Sequence, residues 1–219
     1  MVKFEDIKND SAICAYIKAA DNSLSALGYT EHSFAHVGSV ADTAERILRC
    51  VGVEPRQIEL AKIAAYLHDI GNLVNRSEHS QSGAVMAFRI LDNMGMEAEE
   101  IATVVTAIGN HDEGIGVPVN AVAAALILAD KSDVRRSRVR KRDFSTFDIH
   151  DRVNYSVVDS KLLIDSEEKI VRLVLKIETE ISSLMEYFEI FLGRMTLCCR
   201  AADSLGFSFK LTINDQNFI

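Results

Sequence analysis

The segment AYLHDIGN, residues 65–72, sets an imidazole and a carboxylate side by side, His68 and Asp69, at the end of an apolar run that Gly71 closes. Neighbouring residues on a helix project about 100° apart, so a doublet flanks one ion most easily at a helix end, where the backbone bends away. Imidazole with carboxylate suits Fe, Mn, Zn or Ni better than Ca or Mg. Two side chains cannot complete such a site, so partners must come from elsewhere in the chain.

Helical patterning surrounds the doublet. Residues 4–27 carry Ile7, Ile13, Ile17 and Leu24 on one face and end at Gly28, and residues 33–51 carry Val37, Val40, Ala44, Ile47 and Leu48 and stop at Gly52. Pro55 opens a third helix in its first turn, and residues 58–70 bear its apolar stripe. Residues 79–94 and 97–110 read as two more helices. A very apolar helix spans residues 121–139, with alanine and leucine on nearly all faces of its first half, which marks it as central. Beyond Phe144 the character changes. Residues 152–164 and 169–177 are rich in β-branched and bulky apolar types and suggest strands, residues 178–205 are helical, and residues 207–213 read as a closing strand. The predicted fold is therefore mainly α: a helical domain over residues 1–143 and a small β-β-α-β unit over residues 144–219.

The candidate partners of the doublet are three histidines at predicted helix ends and one aspartate within the central helix. His36 opens the helix HVGSVADTA, His79 begins HSQSGAVMAFRIL, and His111 ends ATVVTAIGNHDE. Asp130, in LILADKSD, sits in the apolar central helix, where an unpaired carboxylate would cost several kcal/mol unless it is paired or binds metal. Taken singly, a buried histidine is more often a satisfied core residue than a ligand.

The ordered set of a His, a His-Asp doublet, two further His and a late Asp, carried by HVxxVAxTA, LHDIG and ILADKSD, resembles the HD superfamily of phosphohydrolases over about residues 30–142. The resemblance implies that His36, His68, Asp69 and Asp130 hold one metal, and that Asp69, His79 and His111 hold a second one, bridged by Asp69. It implies one or two divalent transition ions, iron foremost, with manganese, nickel or zinc as alternatives. The ligand pattern is most similar to the bacterial HD enzymes that cleave diadenosine tetraphosphate. Asn72 stands where many members have Lys, and Asn110-His111 and Gly116-Val117-Pro118 replace the paired histidines and Gly-Tyr-Pro of the cyclic-di-GMP enzymes, which points away from that substrate.

The expected activity is hydrolysis of a phosphoester or phosphoanhydride in a nucleotide or similar small molecule, by a hydroxide bridging two ions. The alternative is a regulator that keeps the HD fold and binds metal or nucleotide without turnover. Seven basic residues between Lys131 and Arg142, against one acid, Asp133, form a basic island; the rest of residues 1–143 has 9 basic and 19 acidic residues. Such an island suits a small anion rather than a nucleic acid, as does the formal net charge of −8. Lys131 and Arg135, one helical turn apart in the extended central helix, are expected to stabilise phosphoryl charge at the mouth of the site. His32 reads as a neighbour of the site or a surface group, His150 and Glu113 as surface groups, Arg140 to Arg142 as facing solvent or the second domain, and Cys198-Cys199 as packing. With no apolar leader in residues 1–10 and no apolar stretch of bilayer length, the expectation is a cytoplasmic protein without a membrane partner. An exposed edge strand in the C-terminal unit could pair with a second copy as a homodimer.

Overall fold

The computed structural model describes residues 1–219. Nine α-helices precede and interleave a small sheet: α1 Phe4–Asn9, α2 Ser11–Ala26, α3 Phe34–Val51, α4 Pro55–Leu67, α5 His79–Asn93, α6 Ala98–Gly109, α7 Ala121–Ser132, α8 Ile149–Ser156 and α9 Leu184–Ser204. The strands are β1 Val157–Asp165, β2 Ile170–Ile177, β3 Ser208–Ile213 and β4 Gln216–Asn217. This matches the expected class, an all-helical body with a small β unit.

Capping chemistry explains where the elements begin. Residues 4–27, read as one helix, divide at Asp10, whose carboxylate accepts from the Ala12 and Ile13 amides at 2.9 Å each and so starts α2 afresh. Asp10→Ala should cost about 1 kcal/mol and lower the melting temperature by about 2–4 °C; an unchanged thermal midpoint would show that the cap contributes nothing. Ser33 caps α3, and Gly52 ends it in the left-handed region at φ 84°.

α7 is the hub, with its apolar residues Val122 to Ala129 buried against α3, α4, α6 and α9. It is shorter than the sequence suggested, stopping at Ser132 rather than near residue 139. Asp133 ends it: its side chain meets His36 and Arg138 on the inside and Arg135 on the outside, and the chain continues through a short 3-10 turn at Arg136–Arg138.

Residues 152–156, read as strand, belong to α8. A reciprocal capping box between Asp148 and Asp151 starts a helix there, overriding the local β preference of Val153 and Tyr155. β1 pairs antiparallel with β2, β2 parallel with β3, and β3 antiparallel with the two-residue β4, which the sequence reading missed. The parallel β2–β3 pair is joined through α9, whose start is fixed by a Ser183–Glu186 capping box. One face of the sheet, carrying Val171, Leu173, Leu175, Phe209, Leu211 and Ile213, is buried, in keeping with the two-residue period.

α9 packs against both β3 and α7. Its buried Tyr187, Phe191, Met195 and Cys198 belong to the same hydrophobic core as α7, so the C-terminal unit is continuous with the helical body. Cys198 lies in that core as packing, where burial pushes its thiol pKa up and leaves it inert.

Candidate metal centre

Every expected ligand sits at a helix end or in a last turn, where a side chain can point along the bundle axis rather than outward. His36 lies in the first turn of α3, His68 caps α4, Asp69 follows in the turn, His79 opens α5, His111 follows the cap of α6 and Asp130 lies in the last turn of α7. The fold brings all six together. His36 Nε2 is 3.4 Å from Asp130 Oδ1 and 3.6 Å from Asp69 Oδ2. His68 Nε2 is 3.2 Å from Asp69 Oδ2 and 3.6 Å from Asp130 Oδ1. His79 Nε2 is 3.4 Å from the other Asp69 oxygen, Oδ1. The His111 ring stands 4.9 Å from that of His68 and 5.2 Å from that of His79, centroid to centroid.

The outer nitrogen of each ring is tied down. His68 Nδ1 donates to the Ala65 carbonyl at 2.7 Å, His111 Nδ1 to Ile108 at 2.6 Å, and His79 Nδ1 to Arg76 at 3.2 Å. His36 Nδ1 meets the Asp133 carboxylate at 2.6 Å. A proton fixed on Nδ1 leaves the Nε2 lone pair facing inward. Nε2 of both His36 and His68 is buried without a hydrogen-bond partner, an expensive arrangement for a site made of protein alone. Two sets of donors, His36 with His68 and Asp130, and His68 with Asp69 and His111, each lie within 4.8 Å of one another. These buried His/Asp groups fit divalent metal.

Asn72 explains the posture of Asp69. Buried in the 3-10 turn after the doublet, it donates from Nδ2 to the Asp69 carbonyl and to Oδ1, both at 2.9 Å. One Asp69 oxygen is thereby turned toward His79 and the other toward His36 and His68. The electrostatics divide the histidines, two of them neutral and His68 charged beside the carboxylates. Burial disfavours the charged imidazole and pushes His111 and His79 down, leaving them neutral donors. Burial also opposes protonation of His68, but the Asp69 and Asp130 carboxylates outweigh it and raise its pKa to about 10. Burial alone would raise both carboxylates, yet His68 beside Asp69 and Lys131 beside Asp130 hold them well below their ordinary range.

A cavity of about 630 Å³ opens over the cluster. Lys131 lines it, buried, with Nζ 2.7 Å from Asp130 Oδ2 and 3.7 Å from Glu113 Oε1. Arg135 does not. Because α7 stops before it, Arg135 turns outward, where its Nε meets Asp133 Oδ1 at 2.5 Å and its Nη2 meets Oδ2 at 3.0 Å. Arg76, Arg138, Lys141 and Arg194 line the cavity in its place. Arg136 pairs with Glu178 and Arg140 with Asp21, both away from the cluster. Glu113, read as a surface carboxylate, holds Arg194 at 2.7–2.8 Å from the wall of the cavity. His32 faces inward, with Nε2 4.0 Å from Asp69 Oδ2, and exposed His150 stands on the cavity rim.

Three contributors escaped the sequence reading. Asp133 looked like one acid in a basic run, although its spacing of three from Asp130 puts it one turn on and marks it in hindsight. Arg76 had no motif around it. Arg194 comes from α9 across 81 residues from Glu113, a separation that leaves no signal in a single sequence.

Residues 33–152 match the HD domain family. An uncharacterized protein of Methanocaldococcus jannaschii is 31% identical over 163 residues, 64% of this chain, and the match spans 62% of that protein's length. A crystal structure described as a predicted HD superfamily hydrolase, from an uncultured Thermotogales bacterium, aligns over 60% of this chain and 73% of its own at 22% identity and a TM-score of 0.44. No helix is long and apolar enough to cross a membrane. With the family match covering more than half of its residues, the chain belongs to the HD domain family.

Proposed function

We propose that this protein is a metal-dependent phosphohydrolase that cleaves a phosphoester or phosphoanhydride bond in a nucleotide or similar small molecule, through a dinuclear centre. The observation that carries the reading is the convergence of inward-facing histidine Nε2 atoms, two of them buried without partners, on the carboxylates of Asp69 and Asp130. In this reading His36, His68, Asp69 and Asp130 hold one ion, and Asp69, His79 and His111 hold the other. Nitrogen and carboxylate donors accept iron, manganese, nickel or zinc alike, and the family resemblance puts iron first. Divalent ions bound there would polarise the phosphoryl group and acidify water.

The chain's own residues do the rest. Asn72 keeps the Asp69 carboxylate turned to both halves of the site. Glu113 fixes the planar fork of Arg194 at the cavity wall, where it can take two phosphoryl oxygens at once. Lys131, held between Asp130 and Glu113, supplies a second cation for charge that grows as the bond to phosphorus breaks. Residues 1–143 would thus carry the metals, while 144–219 close the cavity through Arg194 and offer β1 as an edge for a second copy. Arg76, Lys131, Arg138, Lys141 and Arg194 on the cavity wall, set among carboxylates that the metals would neutralise, suit a substrate with several phosphates, as in diadenosine tetraphosphate.

The test is elemental analysis of protein purified without added metal or chelator, paired with a panel of phosphoesters and nucleotides. About two equivalents are expected, falling to about one in His79→Ala, with turnover of at least one substrate in the wild type. One equivalent that the substitution leaves unchanged would remove His79 and His111 from the ligand set. Nucleotide binding without turnover would make the protein a regulator.

A further inference from the structure

On α3 a polar stripe runs outward from the metal centre. His36 is followed at helical spacing by Ser39, Thr43 and Arg46, one face of the helix that neither the core nor the cavity over the metals uses. The stripe ends in a second pocket, of about 290 Å³, between α3, the end of α7 and β1. Two arginines and a lysine, Arg46, Arg135 and Lys161, line it with the hydroxyls of Ser39, Thr43, Ser132 and Ser160. Its one carboxylate, Asp133, is already engaged on both sides.

Of the three cations Arg46 alone lacks a carboxylate, since Lys161 Nζ pairs with Asp159 Oδ2 at 2.6 Å and Arg135 with Asp133. Arg46 is fixed by a carbonyl rather than a carboxylate, donating from Nη2 to Leu162 at 2.9 Å, so its charge stays uncompensated. Ser160 Oγ donates to the Ser132 carbonyl at 3.1 Å and ties β1 to the end of α7. Planar guanidinium forks beside an ammonium and hydroxyls match an anion with several oxygens. Asp133 is the wall between the two sites: Oδ2 takes His36 Nδ1 at 2.6 Å on the inside, while the same carboxylate takes Arg135 at 2.5 and 3.0 Å on the outside.

We propose that this second pocket binds a phosphate-class dianion, either inorganic phosphate or the phosphoryl end of a phosphomonoester, and that its occupant draws Arg135 off Asp133 and so tightens the hold of Asp133 on His36. An oriented, carboxylate-backed imidazole is a better metal ligand. The pocket stands on its own geometry; its link to the metals rests on the function proposed above.

Isothermal titration of inorganic phosphate, and of non-hydrolysable methylphosphonate as the monoester mimic, into the full chain as purified tests the site. Arg46→Ala combined with Lys161→Ala should weaken one binding event at least tenfold, while Arg46→Lys weakens it less and Arg194→Ala, which acts on phosphate in the other cavity, leaves that event in place. Whichever probe binds tighter names the source of the anion. Absence of binding in the wild type, or binding that the double variant keeps and Arg194→Ala loses, overturns the site. The link is read by the rate of metal loss to a chelator. Phosphate should slow that loss at least twofold in the wild type and have no effect in the double variant; equal rates with and without phosphate in the wild type overturn the link.

Discussion

Asp69→Asn should strip the protein of both ions, to below about 0.2 equivalents by elemental analysis, and lower hydrolysis of its best substrate about a thousandfold or more, roughly 4 kcal/mol of transition-state stabilisation. The two Asp69 oxygens face opposite halves of the site, Oδ1 toward His79 at 3.4 Å and Oδ2 toward His68 at 3.2 Å. Asparagine has the same shape but only one acceptor. Asn72 donates to Oδ1, so the new carbonyl would keep that bond and the new amide would face His36 and His68. There it would donate to the Nε2 lone pairs that metal binding requires. The substitution thus removes one ligand and occupies two others, more than the loss of His79 would do. Wild-type metal content with hydrolysis within tenfold of normal would show that Asp69 does not bridge.

Gly71→Ala should be the most damaging single methyl in the helical body, at about 3 kcal/mol or more, because overpacking here meets backbone that cannot step aside. A Cβ at Gly71 would stand inside the envelopes of the His79 carbonyl and the Gly83 amide, and 2.6 Å from Ser82 Oγ. The backbone at Gly71 has no left-handed φ, so the requirement is close approach alone. The first turn of α5 lies directly on the turn after the doublet, and His79 is its first residue. Making room must therefore move His79, a proposed ligand. The expected result is a melting temperature lower by about 6–12 °C, with about one equivalent of metal lost from whatever protein folds. A melting temperature within 2 °C of the wild type would mean that the turn and α5 can separate without cost.

These two residues also show how much was legible in the chain. AYLHDIGN contains the doublet and the glycine, and both features are local, although α4 ends at Leu67 with His68 as its cap and Gly71 lies inside the 3-10 turn that follows rather than stopping the helix. His36, His79 and His111 could be found because each stands at a predicted helix end, which follows from caps and periodicity within a few residues, and Asp130 because it is a carboxylate inside an apolar helix within ILADKSD. Helix class, the glycine stop at Gly52 and the central burial of α7 were readable for the same reason.

What failed had competing causes in three dimensions. The central helix looked continuous to residue 139, but Asp133 gains more by turning inward to His36 than by continuing the helix, and that choice exists only once His36 is 2.6 Å away. Arg135 was assigned to the mouth of the site on a helical turn that is never made. Its place is taken by Arg194, which reaches the cavity because α9 packs on α7. Residues 152–156 had strand-forming side chains, yet the Asp148–Asp151 cap decided for helix.

The sequence by itself determined the helical class, the C-terminal β unit and helix stops such as Gly52, and it nominated the six candidate ligands, because each rests on local pattern and motif. Only the tertiary structure decided which cations face the cavity, which carboxylate backs His36, and that the C-terminal helix closes the site. Those depend on contacts between residues that can be a hundred positions apart, whose side chains carry the same chemistry wherever they sit and acquire a role only when packing brings their partners within hydrogen-bonding distance.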